Sequence, residues 1–171
     1  MTLDKLRRIK LLLLDVDGVL TDGSVIYHDT GEETKVFHIK DGLGIRMLMD
    51  AGIEVGIVTG RTSRALRHRC DNLGISLVFE QVRDKTGVLE VVSKEKGVKA
   101  EHIAFVGDDL IDIPLMKKVG LSVAVADAHE TVLEHADMVT AAKGGAGAVR
   151  EVSEAILKAQ GLWEKVLARF L

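Results

Sequence analysis

The chain has 171 residues, 47% of them hydrophobic, which suffices for a full core at about the size of one domain, and residues 1–171 are read as one. Its 23 Lys plus Arg against 26 Asp plus Glu leave a formal charge of -3, so composition offers no global footprint for nucleic acid or an anionic membrane. No apolar run approaches the roughly 20 residues that span a bilayer, "MTLDKLRRIK" holds no signal-peptide core, and Cys70, the one cysteine, has no disulfide partner; a soluble, cytoplasmic chain is expected.

In chain order, short apolar runs alternate with segments of helical period, the signature of βα units around a parallel sheet. Strands are predicted over Lys10–Val16, Glu54–Val58, Leu77–Phe79, His102–Val106, Ser122–Val125 and Met138–Thr140. They read as continuous apolar runs, as strands covered on both faces do. Helices are predicted over Gly44–Ala51, Ser63–Leu73, Lys85–Lys96, Ile113–Val119, Thr131–His135 and Ala148–Gln160, with Gly52, Gly74, Gly97 and Gly120 as left-handed caps and Cys70 as a small buried filler. One segment breaks the alternation: Ser24–His28 and Thr34–Ile39, joined by "DTGEE", predict a hairpin within about residues 24–39. Its Val25, Tyr27, Val36 and Phe37 predict packing on the core or on another subunit, while Asp29, Glu32 and Glu33 read as a solvated tip. In the tail, about residues 161–171, Leu162, Trp163, Val166, Leu167 and Phe170 fall at helical spacing, for docking on the core or a subunit contact.

Ligands of an open α/β sheet bind beyond the carboxyl ends of its strands, and four successive strand ends here carry polar groups. The first delivers Asp15 and Asp17, two carboxylates that raise each other's pKa unless a cation sits between them and that suit Mg²⁺ with a substrate phosphate. The second carries Thr59, Gly60 for close backbone approach, and Ser63 to cap the next helix. Next comes Lys85 near a helix start, where a cation opposes the helix dipole. The fourth offers Asp108, Asp109 and Asp112 around a glycine turn, with Pro114 placed to start a helix. Each alone has an ordinary explanation in turn chemistry; their joint occurrence is what points to a phosphate site.

The order "DVDGVLTD", "VTGR", Lys85, "GDDLID" resembles the haloacid dehalogenase superfamily of phosphohydrolases. Within it, "DGLGIR", "RCDNLGI", "GDDLIDIPLM", "VGLSVAVADAH" and "GGAGAVREV" are similar to the capless family of 3-deoxy-D-manno-octulosonate 8-phosphate (KDO 8-phosphate) phosphatases, and the resemblance covers nearly the whole chain. It implies a Rossmann-like three-layer α/β fold with a mainly parallel sheet and a β-hairpin in place of a cap. It further implies Asp15 as nucleophile, Asp17 as general acid and base whose carbonyl binds metal, Thr59 and Lys85 on the phosphoryl oxygens, and Asp15, Asp17 and Asp108 around Mg²⁺, with Asp109 and Asp112 supporting. The family assembles as a homotetramer, hairpins together, one subunit closing another's site, and serves lipopolysaccharide inner-core sugar synthesis in Gram-negative bacteria.

For the substrate, Gly60, Arg61 and Arg69 are singled out, while Arg64 and Arg67 read as a solvated helix face. In the sister phosphatases of nonulosonate 9-phosphates the positions of Arg61 and Asn72 hold Glu and Lys, and neither marker stands here. The six histidines show no metal spacing, although His38 lies where it could approach a site. "AKGGAGAVRE" reads as a flexible joint, or as a mobile element that brings Arg150 to the substrate. Three alternatives stand beside the main reading: a nonulosonate 9-phosphate phosphatase, a receiver-like signalling domain, and a noncatalytic scaffold. The receiver fits poorly, since its phosphorylated Asp follows a later strand, and the scaffold is disfavoured because Asp15 and Asp17 are both present.

Overall fold

In the computed structural model, which describes residues 2–171, the elements run α1 (Thr2–Arg7), β1 (Leu11–Leu14), β2 (Ile26–Tyr27), β3 (Glu33–Thr34), α2 (Ile39–Asp50), β4 (Glu54–Val58), α3 (Arg64–Leu73), β5 (Leu77–Phe79), α4 (Val88–Lys96), β6 (Ile103–Gly107), α5 (Ile113–Met116), β7 (Leu121–Ala124), α6 (Glu130–His135), β8 (Met138–Val139), α7 (Ala148–Ala159) and α8 (Trp163–Leu167). Short 3₁₀ turns at Lys85–Gly87, Ala100–His102 and Leu110–Asp112 complete them.

The four leucines of β1 are fully buried because that strand lies inside a parallel sheet of order β5-β4-β1-β6-β7-β8, covered by helices. Leu14 is level with Ile57 on one side and Val106 on the other, so the carboxyl ends of β1, β4 and β6 share one edge. From β1 the chain adds β4 and β5 outward on one side and then returns to place β6 on the other. The reversal sits between β1 and β6, the switch point where an open sheet leaves a crevice.

All six predicted strands are present, to within two residues at their ends. Ser63 caps α3 as expected, its hydroxyl accepting from the Leu66 amide, and Leu66, Cys70 and Leu73 face the core at helical spacing. Burial pushes the Cys70 thiol up to about 11, as befits an inert filler. Gly74 and Gly97 end their helices in the left-handed conformation. Gly120 does not: it is needed because a Cβ there would stand 2.1 Å from the Glu101 carbonyl oxygen.

Three expectations need correction. The hairpin is smaller than predicted, with only Ile26↔Thr34 and Tyr27↔Glu33 in register, and Ile39 opens α2 instead of ending a strand. The glycines at 42 and 44 lower helix propensity and hide that start from the sequence; a Cβ on Gly44 would lie 3.0 Å from the Arg150 Cα, so the residue is small because α7 packs close there. Of the two packings expected for the hairpin's apolar residues, the core takes only Phe37, while Val25, Ile26, Tyr27 and Val36 are exposed and so available to another subunit. Helix α1 was not expected; its one buried residue is Leu6, and the Gln160 amide ties its end by donating to the Leu6 and Ile9 carbonyls at 3.1 and 2.8 Å. The tail docks through Leu162, Trp163 and Val166, while Phe170 stays exposed. Among the described residues no helix is long and apolar enough to cross a membrane.

Helix α7 carries its cap on another element. Asp41 of α2, 1% exposed, accepts from the Gly147 and Arg150 amides at 3.2 and 2.7 Å and so satisfies the start of α7 across more than a hundred residues. Asp41→Ala leaves half-buried amides without their carboxylate and is expected to destabilise the fold by about 2 kcal/mol, a fall of roughly 4–8 °C in Tm by circular dichroism, with Asp41→Asn losing less. An unchanged Tm in the alanine variant would show that water replaces the carboxylate.

Candidate active site

The switch point gathers one ammonium and three carboxylates. Asp15 follows β1, its amide donating to the Val106 carbonyl at 3.1 Å, and its side chain is turned inward, 5% exposed. Lys85, buried at the 3₁₀ turn before α4, places its Nζ 3.0 Å from Asp15 Oδ2 and donates to Asp112 Oδ1 at 2.6 Å. The other Asp112 oxygen accepts from the amides of Asp108 and Asp109 at 2.9 and 3.3 Å, which fixes the turn after β6. The placement of Lys85 near a helix start, unfavourable by the helix dipole, is thus explained by the acids it faces.

The loop after Asp15 is shaped by contact. Gly18 is left-handed, φ 93°, and a Cβ on it would stand 2.0 Å from Asp108 Oδ2, so this turn and the Asp108 turn touch. On its other side sits "AKGGAGAVRE", which is not a free joint: the Gly145 amide donates to the Val19 carbonyl at 2.9 Å, and a Cβ on Gly144 would be 1.7 Å from the Gly18 carbonyl oxygen. Arg150, within it, pairs with Glu154 on its own helix.

Oxygens of Asp15, Asp108 and Asp112 lie within 4.8 Å of one another. Burial, then the Asp112 carboxylate, push the Asp15 carboxyl up to about 6 against the pull of Lys85. Burial, then Asp15, Asp112 and Asp109, push Asp108 up to about 7. For Lys85, burial works against the charged form, but Asp15 and Asp112 outweigh it and hold its pKa above the ordinary lysine value. Three carboxylates against one ammonium leave a deficit of positive charge, and Asp108 Oδ1 is buried with no hydrogen-bond partner. An unpartnered hard oxygen beside two other carboxylates fits a divalent cation such as Mg²⁺.

Thr59 is buried at the end of β4, its hydroxyl accepting from the Arg61 amide at 3.2 Å, and Gly60 forms the turn between them. Asp17, unlike Asp15, turns toward the hairpin, where it meets Lys35 and lies 3.6 Å from Arg61 Nε. Arg61 also donates to the Tyr27 hydroxyl at 2.9 Å and pairs with Glu33. Glu33 is therefore no solvated tip residue, its side chain being 15% exposed, and Lys35 was missed altogether. The signal available was Glu33-Thr34-Lys35, an acid and a base two residues apart on one face of a strand. Beside this group a groove of about 530 Å³ runs between the hairpin and the start of α3, lined by His28, Glu33, Thr62, Arg64 and His68; it borders Arg61 and does not reach Asp15.

Arg69 lies elsewhere: it donates to the His38 carbonyl at 3.3 Å and covers the Phe37 ring at 5.7 Å. His38 stands 3.8 Å from the Asp41 carboxylate, near the start of α7. Arg67 pairs with Glu80 on the surface, in keeping with a solvated helix face.

A family model of haloacid dehalogenase-like hydrolases matches residues 78–152. The chain is 48% identical to the 3-deoxy-D-manno-octulosonate 8-phosphate phosphatase KdsC of Escherichia coli K12 over 92% of this chain and 84% of that one. Its structure is similar to that of the Moraxella catarrhalis 3-deoxy-D-manno-octulosonate 8-phosphate phosphatase in complex with magnesium ion, phosphate ion and KDO, with TM-score 0.97 and 40% identity over 99% of this chain and 98% of that one. The Yersinia pestis 3-deoxy-D-manno-octulosonate 8-phosphate phosphatase aligns with TM-score 0.94 and 45% identity, covering 95% and 88%.

If the three carboxylates repel one another without a cation, Asp108→Asn is expected to raise the Tm of chelator-treated protein by roughly 2–4 °C, about 1 kcal/mol, and to remove the rise in Tm expected when magnesium is added to the unaltered protein. A variant that melts lower without metal, yet still gains from magnesium, would remove Asp108 from the cation site.

Proposed function

The chain belongs to the haloacid dehalogenase-like hydrolases, within the family of 3-deoxy-D-manno-octulosonate 8-phosphate phosphatases, and we propose that its own reaction is the hydrolysis of KDO 8-phosphate to KDO and phosphate. It is a phosphomonoester hydrolase, and Mg²⁺ is its cofactor. The observation that carries the substrate reading is the combination of 48% identity over 92% of the chain with the Asp15, Lys85, Asp108 and Asp112 cluster at the switch point.

In this reading Asp15 is the nucleophile. Its Oδ2 faces Lys85, whose ammonium neutralises charge on an entering phosphoryl group, and the Thr59 hydroxyl takes a second phosphoryl oxygen. Asp15 and Asp108 would hold the metal, together with the Asp17 carbonyl, and Asp109 and Asp112 support them. When bound, Mg²⁺ supplies the positive charge that lets a carboxylate approach a phosphate dianion. Asp17 gives a proton to the departing sugar oxygen and takes one back from the hydrolytic water, a role typically worth about 10²- to 10⁴-fold. Arg61, 43% exposed beside Asp17, is placed for a sugar carboxylate, with Gly60 as the turn that admits it; Arg69 stands as the second candidate, acting through the segment around His38.

The reading extends to assembly and context. The exposed Val25, Ile26, Tyr27 and Val36 support a homotetramer joined through hairpins, with substrate covered at subunit interfaces. The chain would act in the cytoplasm, in the synthesis of the lipopolysaccharide inner-core sugar, with neither nucleic acid nor membrane as partner.

Phosphate release from KDO 8-phosphate and from a nonulosonate 9-phosphate, with Mg²⁺ and with chelator, tests the reading. Metal-dependent release favouring KDO 8-phosphate is expected, falling to background in Asp15→Asn. Preference for the 9-phosphate would overturn the substrate assignment and keep the chemistry; activity like that of the unaltered protein in Asp15→Asn would overturn the nucleophile.

A further inference from the structure

Away from the cluster around Asp15, one lysine is buried without an apolar reason. Lys35 lies just past β3, on a hairpin whose Val25, Ile26, Tyr27 and Val36 are exposed, yet its own side chain is 1% exposed. Its ammonium meets two carboxylates, Asp17 and Glu33, the second at 2.9 Å. Withdrawing an ammonium from water is unfavourable unless carboxylates take the water's place, so these two acids define where Lys35 sits. Arg61 reaches the same two acids from the turn after β4. Two acids and two bases close a ring in which each acid touches both bases, and Asp17 is its one member on the loop that carries Asp15.

The ring treats the two oxygens of Asp17 differently. Oδ1 accepts from Lys35, whereas Oδ2 is 3.6 Å from Arg61 Nε, beyond hydrogen-bond range. One oxygen accepts a hydrogen bond, and the other only faces Arg61 across a longer ion pair. A carboxylate on a turn otherwise samples several rotamers, and proton transfer needs a donor within about 3 Å of its acceptor.

We propose that Lys35 is a positioning residue for the reaction: by holding Oδ1 of Asp17 it presents Oδ2 to the leaving-group oxygen, so the hairpin serves the chemistry of its own subunit. This rests on the assignment of Asp17 given above. In the first half-reaction the Oδ2–H bond breaks and its proton goes to the bridging oxygen as the P–O bond to the sugar breaks and a bond from Asp15 to phosphorus forms. In the second, Oδ2 takes a proton from water as the water oxygen bonds to phosphorus and the Asp15–phosphorus link breaks.

The test exploits leaving groups. An alkoxide needs a proton to depart and p-nitrophenolate does not, while kcat/KM reports only steps up to release of that group. Lys35→Met is expected to lower kcat/KM about 10²-fold on KDO 8-phosphate and on glycerol phosphate, but less than about threefold on p-nitrophenyl phosphate, with KM little changed. Lys35→Arg, which keeps the cation, is expected to regain most of the loss, and both variants should keep the magnesium-dependent rise in Tm. Equal losses on alkyl and aryl phosphates, no loss on either, or no recovery in Lys35→Arg would overturn the inference. Should the unaltered enzyme ignore KDO 8-phosphate, the substrate reading fails alone, and the contrast between glycerol phosphate and p-nitrophenyl phosphate still decides the role of Lys35.

Discussion

The contact on which the site depends is the buried ammonium of Lys85 between Asp15 and Asp112. It joins three strand ends: Asp15 after β1, Lys85 after β5 and Asp112 in the turn after β6. Removing either acid would leave a buried charge with half its compensation, and removing Lys85 would leave three carboxylates facing one another. The arrangement is not optimised for folding. Burial with like charges nearby moves Asp15 and Asp108 toward neutral pH, a position that a chain selected for stability alone would avoid. The excess of carboxylate over ammonium is relieved either by a proton on Asp15 or Asp108 or by a bound cation.

Small residues let the loops around that contact close. Gly18 lies against the Asp108 side chain on one side and against the Gly144 backbone on the other, so three loops from distant parts of the chain close on one another at this glycine. That close stacking gives the "GGAG" string a structural reason: its glycines admit the backbone that carries Asp15 and Asp17.

Much of this was legible from the sequence, and the limits are instructive. Strand ends are set by where apolar runs stop, and a parallel sheet brings those ends to one edge, so Asp15, Thr59, Lys85 and Asp108 could be grouped without coordinates. The resemblance gave Asp112 a supporting role, but its pairing with Lys85 could not be read, since that contact spans 27 positions and depends on a single 3₁₀ turn. Glu33 and Lys35 were hidden for a different reason. Charges flanking a glycine turn look solvated in any local window, and only the fold-back of the hairpin onto Asp17 buries them. Helix α1 escaped because a six-residue segment with one buried side chain shows no period. The early start of α2 escaped because Gly42 and Gly44 mimic a loop while serving close packing.

The hairpin shows how the two parts of the site are linked. Strands of two residues each cannot hold a hairpin by themselves, and its apolar side chains, Phe37 excepted, do not anchor it to the core. What attaches it is the ring of Asp17, Lys35, Glu33 and Arg61, so its order depends on the same loop that carries Asp15. A segment held by ion pairs rather than buried area belongs to the low-stability end of a fold. Its outward face, with Ile26, Tyr27 and Val36 exposed, stays free to meet another surface. Any contact made on that face bears on Lys35 through a few backbone bonds, and through Lys35 on Asp17, which links whatever covers the hairpin to the loop that carries Asp15.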